Sequence, residues 1–175
     1  MNLELSLIER LILSNQYETL IKSLDEDDGN LESYENALEI VNCGYTNLYY
    51  KLFTGISDHE LSVDDCKLVE NILSLYSDLK YARKKSPEIA SKFSEENIEF
   101  KGFDGHLSKN YASYAEFLVL KEGRWTEFKD IIKGLDSHGA SPDLDGLKSM
   151  VEKRKKIKKT WDKLTVEDVE EILTR

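Results

Sequence analysis

Two prolines and nine glycines are the only strong breakers in a chain of 175 residues. With few β-branched runs as well, that scarcity excludes a many-turned β protein and favours long helices. Cys43 and Cys66 show neither CxxC nor metal-ligand spacing, and two thiols make no secreted disulfide framework. No apolar run approaches the ~18 residues a membrane crossing needs. Met1-Asn2-Leu3-Glu4 is acidic where a signal peptide would be basic. The expected compartment is therefore a reducing cytoplasm, with no membrane contact. His59, His106 and His138 form no HxxxH or HExxH zinc pattern. A Gly-rich phosphate loop, a Walker motif and a GxSxG elbow are all missing. No metal, cofactor or catalytic residue is assigned.

What is present fits a folded soluble protein: 40% hydrophobic and 33% charged residues, with a net charge of −10. That charge works against nonspecific binding to nucleic acid by the chain as a whole. Hydrophobic periodicity predicts an all-α fold of seven to eight helices in a single domain spanning 1–175. At most a minor extended segment is expected, near 98–100. The first helix is expected over about Leu3–Leu24, and a second after an Asn30 cap with Gly44 as its left-handed stop. An aromatic segment follows over Thr46–Phe53. The third long helix, capped by Ser62, runs to about Lys85, and Pro87 opens the next. A long helix is expected over Asp104–Glu122 and another after Ser141-Pro142 that carries Ile157 and Trp161. Thr165 caps the last. Leu11, Ile12, Ile72, Tyr76, Tyr114, Leu118, Phe128 and Trp161 are the expected core.

Arg10-Leu11-Ile12-Leu13-Ser14-Asn15-Gln16-Tyr17 is a distinctive opening. Gly44-Tyr45, Cys66 with Tyr76, and Gly102-Phe103-Asp104 follow it. A block of Tyr111, Phe117, Val119, Glu122-Gly123-Arg124 and Phe128 comes next, and Trp161 with the capped terminal helix completes the series. In this order the motifs resemble the YfbU family of bacterial and archaeal proteins over nearly the whole chain. The resemblance implies an all-α fold and carries no established activity. The domain's association with DNA-binding helix-turn-helix segments in some members implies a ligand-sensing or interaction role.

The candidate ligand-binding residues are Asn15, Gln16, Tyr111, Tyr114 and Arg124, the polar and amphipathic side chains of the most family-like segments. A buried amide is costly unless hydrogen-bonded, so Asn15 and Gln16 stand either in a pocket wall, at a packing contact or in solvent. Arg124, near a helix C-terminus, either answers the macrodipole or holds an anion bidentately. Asp104 reads as an N-cap, and a ~28 Å helix would separate it from Arg124, which excludes a catalytic pair. Asp25–Asn30 fails the EF-hand pattern, since position 5 is Gly29 and position 12 is Asn36. Ser57-Asp58-His59 is a loop rather than a triad.

The strongest chemical signal is charge asymmetry. Lys148 to Lys163 holds eight Lys/Arg against two Asp/Glu, a local +6, whereas residues 1–40 carry −8. Lys153, Arg154, Lys155, Lys156, Lys158 and Lys159 are the candidate partner surface, to be set against a merely solvated face whose lysines snorkel. The expected function is a non-enzymatic helical interaction or ligand-sensing, regulatory domain. The alternatives are a hydrolytic enzyme with a site of scattered carboxylates and a nucleic-acid-associated regulator using the Lys153–Lys163 helix. The expected assembly is a homodimer, with charge pairing between the two blocks and apolar contact from Tyr45, Tyr49, Tyr50 and Phe53. A small ligand or a protein partner fits the same reading.

Overall fold

The computed structural model describes residues 3–25, 28–57, 60–103, 109–133 and 144–174. Among them the fold is all-α and contains no strand. The chain forms two compact units, residues 1–60 and 61–175.

In the first unit, α1 (Leu7–Ser23) and α2 (Leu31–Cys43) pack as a hairpin, followed by a 3-10 segment over Thr46–Phe53. Ser6 starts α1. Its hydroxyl accepts from the Glu9 amide while the Glu9 carboxylate takes the Ser6 amide, so two orphan donors are satisfied at once. Asn30 does not cap α2 with its side chain. The Asp28 carboxylate binds the Asn30 amides instead, and the turn closes through Leu31 N–H to the Asp28 carbonyl. Gly44 does end α2 in the left-handed region, at φ 68°. Ile40, Val41, Tyr49 and Ser14 are buried in this unit.

Leu11 and Ile12 are not core residues: they are 60% and 52% exposed. The cause is visible in the spacing. Apolar residues run along two stripes of α1, and only one stripe can face α2. Ser14, Tyr17 and Ile21 take that side, and Leu7, Ile8, Leu11 and Ile12 are left outside.

Arg10 accounts for part of the family octapeptide. Its Nε donates to the Val41 carbonyl and its Nη2 to the Asn42 carbonyl, both at 2.8 Å, so a cation covers the C-terminus of α2. A Cβ on Gly44 would stand 3.0 Å from that guanidinium. Gly44→Ala therefore meets both a left-handed backbone and a displaced cap. A loss of about 1–2 kcal/mol is expected, to be read by urea denaturation.

The second unit is organised on α3 (Val63–Lys85). Ser62 caps it as expected, and three basic residues in its last turn favour the dipole. The short helices α4 (Pro87–Lys92) and α5 (Glu95–Ile98) follow, so Ile98 closes a helix, and Glu99 and Phe100 form no strand. Beyond them lie α6 (Lys109–Glu116), a π-helical turn over Phe117–Lys121, a 3-10 turn at Thr126–Phe128 and α7 (Lys129–Lys133). α8 (Leu144–Lys156), a 3-10 turn at Trp161–Lys163 and α9 (Val166–Leu173) complete the unit. Asp104, Leu107, Ser141 and Pro142 lie outside the described residues, as do His59, His106 and His138.

The α3 face formed by Val69, Ile72, Leu73, Tyr76 and Leu79 is buried among residues from nearly every other helix of the unit. Phe100 sits inside an aromatic group, 5.3 Å from Tyr76, 5.4 Å from Phe103 and 5.5 Å from Phe128. α8 stops at Lys156, so Ile157 and Trp161 do not continue it. Trp161 is 39% exposed rather than core and stacks on Tyr81 beneath the Lys85 ammonium.

Candidate functional site

Three of the five expected ligand-binding residues converge on α3. The Tyr111 hydroxyl donates to Asp65 at 2.5 Å and the Tyr114 hydroxyl to Glu70 at 2.9 Å. Arg124 reaches the other Glu70 oxygen at 3.0 Å. The π turn makes this meeting possible. Its wide hydrogen bonds, Glu122 N–H to the Phe117 carbonyl and Arg124 N–H to the Leu118 carbonyl, swing the chain back toward α3. Gly123 then takes φ 71° and Trp125 φ 46°, the latter a rare backbone for a bulky residue. The Arg124 guanidinium lies 4.3 Å from the centre of the Trp125 ring, a cation–π contact.

These contacts set the charges. Hydrogen bonds from Ser62, then Tyr111, hold the Asp65 carboxyl below its ordinary range. Arg124, then Tyr114, do the same for Glu70. Tyr111 is pushed up to about 12, chiefly by donating to Asp65 and further by burial. The neutral phenol is the form the fold prefers. Its contribution is complete below the ordinary tyrosine value near 10 and is lost as pH rises through about 12. Alkaline titration followed by phenolate absorption should therefore show a late-ionising tyrosine that disappears in Tyr111→Phe.

The cluster joins α6 and the π turn to α3 and lines neither cavity described below. Asn15 and Gln16 are exposed on α1 in the first unit, where the Asn15 carbonyl accepts from Thr19.

Most of the basic segment is engaged within its own unit. Arg154 pairs with Asp78 through Nε at 2.9 Å and Nη2 at 2.6 Å, and also donates to the Ile157 and Lys159 carbonyls. Lys153 donates to the Thr174 carbonyl at the end of α9. Lys155 pairs with Glu152, and Lys159 with Asp168. Lys156 and Lys158 are exposed and make no ion pair among the described residues. Of the aromatics expected at an interface, Tyr49 is buried, whereas Tyr45 and Tyr50 are 45% and 63% exposed.

Two cavities stand out. In the first unit an open groove of about 730 Å³ runs between α2 and the 3-10 segment, past Tyr17, Tyr34, Tyr45, Glu32, Glu39 and Lys51. In the second unit a cavity of about 460 Å³ lies beside the C-terminal half of α3. Tyr76, Ile98, Phe100, Phe128 and Ile131 supply its apolar side, and Lys80, Arg83, Lys84, Glu95 and Glu99 its polar side. Arg83 is committed to the Phe93 carbonyl and to Glu95. Lys80 lies 5.9 Å from the centre of the Phe128 ring and 3.4 Å from the Glu127 carbonyl. Neither Lys80 nor Lys84 makes an ion pair among the described residues. The spacing 80, 83, 84 on one helix face was readable in the sequence, but the convergence of Ile98, Phe100 and Phe128 beside it is tertiary.

A family model for the YfbU domain matches residues 3–175. The chain belongs to the YfbU family. The UPF0304 protein MJECS11 of Methanocaldococcus jannaschii is similar, at 31% identity over 150 residues, covering 85% of this chain and 86% of that protein. Within this YfbU domain the distinctive motif residues Arg10, Gly44, Tyr111 and Arg124 serve contacts that hold helices together.

Proposed function

We propose that this YfbU domain is a non-enzymatic, ligand-sensing module, and that its ligand is an organic anion with an apolar body. The observation that carries the reading is the second-unit cavity, an apolar and aromatic wall bordered by two lysines that have no carboxylate partner among the described residues. Concave, mostly apolar sites with a few convergent polar groups are the usual form of small-molecule sites. A ligand carboxylate or phosphate would gain the Lys80 and Lys84 ammonium groups, and its apolar part would lie against Phe100 and Phe128. The volume of about 460 Å³ suits a small molecule rather than a polymer.

A binding role is also supported by the titrating groups. Every carboxyl shift resolved among the described residues runs downward, as at Asp65, Glu70, Asp162 and Asp168. General acid catalysis at neutral pH calls for a carboxyl raised toward it.

Calorimetric titration with phenyl phosphate and phenylacetate tests the reading, with benzylamine as the cationic control. Saturable binding of the anions is expected, weakened by salt and abolished in Lys80→Ala/Lys84→Ala. Equal binding of benzylamine, or anion binding indifferent to the two lysines, would overturn it.

A further inference from the structure

Leu7, Ile8, Leu11 and Ile12 form one continuous outward patch on α1, with exposures of 76%, 71%, 60% and 52%. Single exposed leucines are ordinary, but a contiguous apolar patch on a helix otherwise well anchored marks a contact surface. From this patch we infer that α1 is the seat of a two-fold homodimer, in which the outer stripe of one copy packs on the same stripe of a second.

Two observations favour a second copy of this chain as the occupant. The first is charge. The chain carries −10 overall, and residues 1–40 carry −8, so most of its surfaces repel their own image. The stripe through Leu7, Ile8, Leu11, Ile12, Asn15 and Thr19 contains no ionisable group, and two copies can meet there without bringing like charges together. The second is area. The four apolar side chains present on the order of 500 Å² per copy, and a pair roughly 1,000 Å², about what a specific interface has to clear. Asn15 continues the stripe, and its exposed amide carries both donor and acceptor. Placed near a two-fold axis, such a side chain pairs with its own copy and fixes register, as single polar positions do in paired helices. This assigns Asn15 a contact between copies rather than a ligand. The apolar contact differs from the one expected from Tyr45 to Phe53, and it does not depend on the cavity of the second unit.

Sedimentation velocity of the full chain, over a wide concentration range, is the test. A reversible dimer is expected. In Leu11→Glu the association should weaken at least about 100-fold, because a two-fold interface feels each substitution twice, with the helical circular dichroism spectrum retained. Should Leu11→Glu fail to fold, Ile8→Ser/Ile12→Ser decides in its place, with the same loss expected. A wild-type chain that stays monomeric at every concentration overturns the inference, and so does a dimer whose association is unchanged in the folded variant.

Discussion

Replacing Phe100 with alanine should cost the second unit about 3–5 kcal/mol. Phe100 is 2% exposed and lies within 5.5 Å, centre to centre, of three other rings. The substitution removes apolar surface from water-free packing and leaves a cavity among rings too large to collapse into it. Aromatic pairs add something beyond burial, and this residue is in three of them. For a chain of this length the loss corresponds to a fall in Tm of roughly 10 °C. Phe100→Leu keeps part of the volume and should lose distinctly less. Differential scanning calorimetry of the three proteins gives the order. If alanine and leucine are equally mild, the aromatic group is not the centre of the core.

Arg154→Met should be the most damaging change in the basic segment. The guanidinium makes four bonds, two to Asp78 and two to carbonyls beyond the end of α8, with the two side chains 16% and 28% exposed. Its loss strands a half-buried carboxylate and two carbonyls together. Breaking a fully buried pair costs about 3–5 kcal/mol, and the remaining exposure here brings the expectation to about 2–3 kcal/mol. Arg154→Lys should rescue little, because an ammonium cannot form the planar fork. Adding Asp78→Leu to Arg154→Met should return part of the loss, since the orphaned charge goes with it. By contrast, Lys156→Ala and Lys158→Ala should stay within ~0.5 kcal/mol, as exposed substitutions usually do. Urea denaturation of this series separates the bonded cation from the solvated ones.

The elements easiest to read from sequence were those with a local cause. Ser62, Pro87 and Thr165 start helices through their own side chains or ring, and Gly44 ends one through its own backbone. Where the cause was not local, the reading went astray. Leu11 and Ile12 have the spacing of core residues, and nothing within the helix says which of two apolar stripes meets α2. α8 ends before Ile157 because Arg154 turns back on the carbonyls that follow it, a contact fixed by Asp78 some 76 residues earlier in the chain. The tyrosines and Arg124 were recognisable as a group by their motif. Their partners Asp65 and Glu70 were not, since ordinary acidic residues on a long helix carry no mark of what will approach them.

The π turn at Phe117–Lys121 amounts to one extra residue held inside a helix. Deleting one residue there would restore ordinary α geometry at little local cost, yet rotate everything after it by about 100°. Arg124 would leave Glu70, and Phe128 would leave the aromatic group. The segment is thus a place where the chain length is counted: it accepts many changes of side chain but no change in their number.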